Sequence, residues 1–286
     1  MTAITVILVA HSANWLPVTG HWLLVTDYWK PALLFVAALL GGALNAVAGG
    51  GSFIAFPALV FTGIPPIMAN ATNTVALWPG SVASVGAYRV ELRTAPHRAL
   101  LAVASFIGGI GGAVLLLRTP PGVFERLIPY LLLLATLLFA FSPSLTARLR
   151  ARKVSVQGQD RGRGTSLPTL AGLTLAQLVI ATYGGFFGGG IGILMLATLG
   201  LMGMDNIHTM NALKTLLASC INGVAVLTFV IAHAVVWPQA ILMIVGAIVG
   251  GYAGAYYARR LEPQFVRRFV IVVGLVMTAY FFARQA

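Results

Sequence analysis

Long apolar stretches alternate along this chain with short polar or basic segments. They run at about Ala32–Ala48, Phe53–Thr62, Pro66–Tyr88, Ala99–Leu117, Leu127–Leu145, Leu167–Phe187, Ile191–Leu201, Thr209–His233, Pro238–Tyr257 and Phe265–Ala283. A bilayer-spanning helix needs about 20 residues, so most of these stretches predict crossings. Phe53–Thr62 and Ile191–Leu201 are too short to cross alone, and each follows a glycine triplet, Gly49-Gly50-Gly51 or Gly188-Gly189-Gly190. Glycine is unfavourable inside a helix by roughly 1 kcal/mol relative to alanine, so three together are expected to break it. Irregular backbone at membrane depth survives only where it is buried in protein or lines a cavity.

Each short stretch either continues a broken crossing or turns back as a re-entrant hairpin, and the cations choose between the two. If both cross fully, the two halves share one orientation, and Arg259, Arg260, Arg267 and Arg268 fall outside together with Arg118 and Arg126. With hairpins, each half holds a hairpin plus three crossings, so the second half is inverted. Arg89, Arg93, Arg98, the Arg148–Arg163 cations and the Arg259–Arg268 segment then face the cytoplasm, leaving Lys30, Arg118, Arg126 and Arg284 outside. The pattern therefore predicts an all-α polytopic transmembrane helical bundle of two pseudo-symmetric, inverted repeats, a common plan among secondary transporters. Residues 30–147 form the first repeat and 167–286 the second. Residues 148–166, basic and glycine-containing with no helical apolar period, are expected to be a flexible cytoplasmic linker. Residues 1–29 are expected to hold an extra helix, spanning or interfacial.

Composition agrees. Of 286 residues 59% are hydrophobic and only 8% charged, and the mean hydropathy is +0.92, too apolar for a single soluble core. The formal charge of +12 does not point to nucleic acid, because the cations cluster in segments between apolar runs instead of forming a stripe with interleaved aromatics. The one cysteine, Cys220, excludes an internal disulfide and a cysteine metal cluster. No His pair with a Glu at metal-binding spacing, no nucleophile elbow and no phosphate-loop ending is present, so neither an enzyme nor a metal or other cofactor is expected.

Candidate chemistry lies downstream of each triplet. Asn70-Ala71-Thr72-Asn73-Thr74 and Thr209-Met210-Asn211-Ala212-Leu213 stand at the same distance beyond their triplets, and each opens the next apolar stretch. Helices that begin inside the membrane present unpaired N–H groups with partial positive charge, and two such ends invite an anion. Lys214 lies in an otherwise apolar stretch, three residues after Asn211 and with no carboxylate in that stretch's interior; it either faces a cavity or snorkels to the interface. Asp205 is expected to cap or precede that helix. The candidate substrate-binding set is Gly49, Gly50, Gly51, Ser52, Asn70, Thr72, Asn73, Gly188, Gly189, Gly190, Asn211 and Lys214, with Asn45 and Asn222 weaker; the asparagines could equally glue helices together. Glycine rows at Gly108–Gly112 and Gly246–Gly254 read as close helix packing and permit a homodimer. Trp78, Trp237, Tyr256 and Tyr257 fit aromatic belts.

The runs GGALNAVAGGGSFIAFPALVFTGIPPIMANATNTVALWPG and GGFFGGGIGILMLATLGLMGMDNIHTMNALKTLLASCING resemble the TauE/SafE, or sulfite exporter, family from about Leu33 to the C-terminus. The resemblance implies a multi-pass transporter of small anions in the bacterial inner membrane, with sulfite or organosulfur compounds as precedents. A passive anion channel built from the same parts, a non-transporting membrane scaffold and a metal-cation importer are the rival readings, the last disfavoured by Lys214 and the scarcity of carboxylates.

Overall fold

The computed structural model describes residues 29–47, 50–93, 95–156, 167–201, 204, 206–257 and 263–285. The expected N-terminal helix, Gly49 and Asp205 lie outside them. Among the described residues there are helices and no strands: α1 (Trp29–Val47), α2 (Ser52–Phe61), α3 (Pro66–Ala87), α4 (Arg89–Arg93), α5 (Arg98–Arg118), α6 (Pro121–Val156), α7 (Leu167–Phe186), α8 (Ile191–Leu201), α9 (Ile207–Ile231), α10 (Trp237–Tyr257) and α11 (Pro263–Gln285). Four stretches of these, Arg98–Arg118, Pro121–Phe141, His208–Ile231 and Arg267–Gln285, are long and apolar enough to cross a membrane by length and composition. The short α2 and α8 are about 15 and 17 Å long at 1.5 Å per residue, roughly half the hydrocarbon thickness.

One expectation needs correcting. α6 does not stop at residue 147 but continues through the first part of the basic segment to Val156. Arg148-Leu149-Arg150-Ala151-Arg152-Lys153 is made of strong helix formers, and adding residues to a nucleated helix is far easier than starting one. Residues 157–166 lie outside the described set.

The glycine rows do what their spacing predicts. A Cβ added to Gly108 would come within 2.6 Å of the Leu178 carbonyl oxygen, and one on Gly112 would collide with the Thr182 carbonyl. On α10, Gly246 stands in the same relation to Phe35, at 2.8 Å, and Gly250 to Leu39. Backbone thus touches backbone between α5 and α7 and between α1 and α10. Both pairs run parallel, since Leu178 and Thr182 rise along α7 as Gly108 and Gly112 rise along α5. The opposite faces of these helices carry Phe106, Ile107, Ile110, Val245, Ile248 and Val249, all exposed. So much outward apolar surface suits lipid tails, not water.

Other contacts set the remaining directions. Near the start of α11, the Arg267 guanidinium donates to the Phe139 and Ala140 carbonyls of α6, and at its end Gln285 donates to the Glu125 carbonyl. α6 and α11 therefore run antiparallel. On α3, Trp78 Nε1 donates to the Ser219 carbonyl of α9 at 3.1 Å, whereas Thr72, earlier on α3, meets Val236, past the end of α9. α3 and α9 are antiparallel too. Trp78, half-buried and with its ring against Gly223, is thus an interhelical strut, not a belt residue as its place in the sequence suggested. Trp237 is exposed at the head of α10.

Candidate functional site

The two glycine breaks use glycine for different physical reasons. Gly188 and Gly190 have φ of +81° and +77°, the left-handed region that side chains with a Cβ avoid. Gly51 has an ordinary helical φ of −58°, but a Cβ there would collide with the Gly41 carbonyl oxygen of α1. The first triplet buys close approach; the second supplies a turn. Each break rests on a late helix of the opposite half: Gly50 faces Val270 of α11, and Gly189 faces Ala135 of α6.

α3 carries the polar pentad into the core, and Asn70, Thr72 and Asn73 are all buried. Asn70 Nδ2 donates to the Phe186 carbonyl at 3.1 Å, at the end of α7 and directly before the second break. Asn73, three residues or nearly one turn further along, donates through Nδ2 to Ser52 Oγ at 3.1 Å, on the first residue of α2. One helix face therefore fastens both breaks, within about one 5.4 Å turn of each other. Phe56 of α2 adds an edge-to-face contact to Phe187, with ring centroids 5.7 Å apart. Thr72 points elsewhere: its hydroxyl accepts from the Val236 N–H at 3.1 Å, a bond that anchors the loop ahead of α10.

Beyond the second break, the long helix that follows α8 is α9. Its cap is Asn206, whose side chain accepts from the N–H groups of His208 and Thr209. The stem of Lys214 lies across Gly192 in the first turn of α8: a Cβ on Gly192 would come within 3.3 Å of Lys214 Cδ. Lys214 forms no hydrogen bond or ion pair with the described residues. Ser52 with Asn73, and Gly192 with Lys214, each set the start of a short helix against the long helix that follows it. Asn211, Asn45 and Asn222 are half-buried.

Sequence reasoning missed Tyr183. Its hydroxyl donates to the Gly189 carbonyl at 2.8 Å and holds the second break in shape from inside α7. Only its position one helical turn or so before the triplet could have signalled this. Tyr183→Phe is expected to cost roughly 1 kcal/mol of stability and to lower transport by more than that loss explains. Thermal melts in detergent read beside uptake would check it, and unchanged uptake would reduce Tyr183 to packing.

Helices of bilayer-spanning length, two interrupted ones beginning in the core, and a lysine stem laid across one of those beginnings define a membrane transporter. The chain belongs to the family described as Sulfite exporter TauE/SafE, which matches residues 34–281. It is 28% identical over 251 residues to a "Probable membrane transporter protein" of Haemophilus influenzae, covering 87% of this chain and 92% of that one. It is also 28% identical to the "Probable membrane transporter protein YfcA" of Escherichia coli K12 over 249 residues, 86% of this chain and 87% of the relative. A "Probable membrane transporter protein ORF9" of a Sinorhizobium species is 29% identical over 252 residues, 86% and 90% of the two chains. No solved structure gives a significant match.

Proposed function

We propose that the protein is a secondary transporter of a small oxyanion or organosulfonate, multi-pass in the bacterial inner membrane, that works by alternating access in the export direction. The observation that carries this reading is the Lys214 stem seated on Gly192, which brings an ammonium group with no acidic partner among the described residues to the first turn of α8. That turn already carries partial positive charge from N–H groups with no acceptor inside the helix. A cation so placed in a membrane protein costs several kcal/mol unless a counter-charge visits it, and a substrate anion does so without neutralising it permanently.

The inverted arrangement draws support from helix directions. Helices that hold equivalent places in the two halves, α3 with α9 and α6 with α11, run antiparallel. Full crossing by both broken segments would make each pair parallel. Re-entrant α2 and α8 make them antiparallel, and put the basic segments on the cytoplasmic side. Alternating access then consists of one hairpin-bearing half rocking against the other about the anion.

The test is uptake of labelled sulfite into proteoliposomes under an imposed pH gradient. Accumulation above the external concentration is expected. Equilibration without accumulation would indicate a channel, and no flux of sulfite, sulfate or a small sulfonate would remove the anion reading.

A further inference from the structure

Asn73 is 2% exposed, and while its Nδ2 is bound to Ser52, its carbonyl oxygen Oδ1 has no hydrogen-bond partner. Leaving a buried acceptor unpaired is costly, and native interiors rarely tolerate it without a visiting ligand or water. This one sits at the first residue of α2, a ten-residue helix whose Phe53, Ile54 and Ala55 N–H groups donate back to the Gly50 and Gly51 carbonyls of the break. One turn back on the same face of α3, Asn70 holds the second break, beside which Lys214 stands. The Phe186 and Gly189 carbonyls beside the breaks are already engaged by Asn70 and Tyr183, and Lys214 offers positive charge. Asn73 Oδ1 is an acceptor.

We infer that the site takes an oxyanion that itself carries a hydrogen-bond donor, such as a monoprotonated or amino- or hydroxyl-bearing monoanion, whose O–H or N–H is received by Asn73 Oδ1 while its charged oxygens face α8 and Lys214. The inference rests on the anion-transport reading above and narrows it to a protonation state and a shape. A fully deprotonated dianion brings only acceptors, so it leaves Asn73 Oδ1 unpaired and sets oxygen against oxygen. A metal or sodium ion would satisfy Oδ1, but it would have to lie against the positive end of α2. An anion with one donor satisfies both partners. Discrimination of this kind is strong because the penalty comes from a buried group left unpaired, not from a contact merely lost.

Sulfamate and methanesulfonate separate these ideas. Both are monoanions with three sulfonyl oxygens and nearly the same shape, but the first ends in NH₂ and the second in CH₃. Binding to the purified full-length protein is measured by titration calorimetry, in sodium and in choline buffers, for wild type, Asn73→Leu and Lys214→Met. Wild type is expected to prefer sulfamate by about tenfold. Asn73→Leu, close in volume but without the acceptor, should bind the two alike, and Lys214→Met should weaken both together. Equal binding of both anions by wild type, still sensitive to Lys214→Met, overturns the donor inference while leaving the anion site intact; it would mean the Asn73 amide is turned over and presents its NH₂. Sodium-dependent binding without preference also overturns it and puts a cation on Oδ1. Binding of neither anion overturns the proposed function itself. Should Asn73→Leu fail to fold, the wild-type preference alone decides.

Discussion

Lys214→Met is expected to reduce anion uptake by at least about thirtyfold, because truncating one partner of a desolvated charge pair costs about 2 kcal/mol or more. Methionine keeps the length and flexibility of the stem, so its packing across Gly192 survives and the loss isolates the charge. Lys214→Arg restores the charge, but its broad planar head must fit where a slim ammonium stood, so partial recovery is expected. Initial uptake rates in proteoliposomes, normalised to protein that elutes as a single folded species, check this. If Lys214→Met transports like the wild type, the ammonium is a snorkelling cation and the anion site lies elsewhere.

Gly250→Ala is expected to destabilise the fold by about 3 kcal/mol or more, at the upper end of overpacking penalties. The obstacle is the Leu39 carbonyl of α1, part of a helix backbone that cannot rotate aside as a side chain can. The whole α1–α10 seam would have to open, and Gly42, Gly246 and Gly250 all lie along it. Gly112→Ala, against Thr182 on the α5–α7 seam, should behave in the same way. Gly111→Ala is the control: nothing lies within 4 Å of a Cβ there, so the better helix former should leave stability unchanged or raise it. Thermal unfolding in mild detergent distinguishes the three. Equal melting of Gly250→Ala and Gly111→Ala would mean that the seams are looser than their backbone contacts imply.

Much of the helical order was legible because the apolar runs are long and the breaks are glycine triplets. Ile191–Leu201 matches α8 at both ends, and Pro66–Tyr88 misses α3 by a single residue. α6 ran past its expected end because hydropathy finds the membrane boundary, whereas helix propensity decides where a helix stops, and the two part company at Arg148. α4, five residues with a Glu and two Arg, is too short to show an apolar period. For the site, the residue types were readable but their partners were not. Nothing in the pentad Asn70–Thr74 says that Thr72 turns away to Val236 while Asn70 and Asn73 reach two different breaks. Those assignments depend on which helix lies across from each face, a long-range fact that local pattern does not encode. The triplets likewise read as equivalent, although one is required by space and the other by a left-handed turn.

The crossed arrangement of the breaks, Gly50 on Val270 and Gly189 on Ala135, bears on how the chain is assembled during synthesis. When α1 to α6 have left the ribosome, the first break still lacks the wall that α11 will give it, five helices later. The early half must wait in the bilayer with its polar pentad only partly sheltered, since Phe186 and Val236, the partners of Asn70 and Thr72, are not yet made. Completion of α11 is thus what walls the first break, so a product truncated before α11 would be incomplete at its centre and not merely shorter at its end.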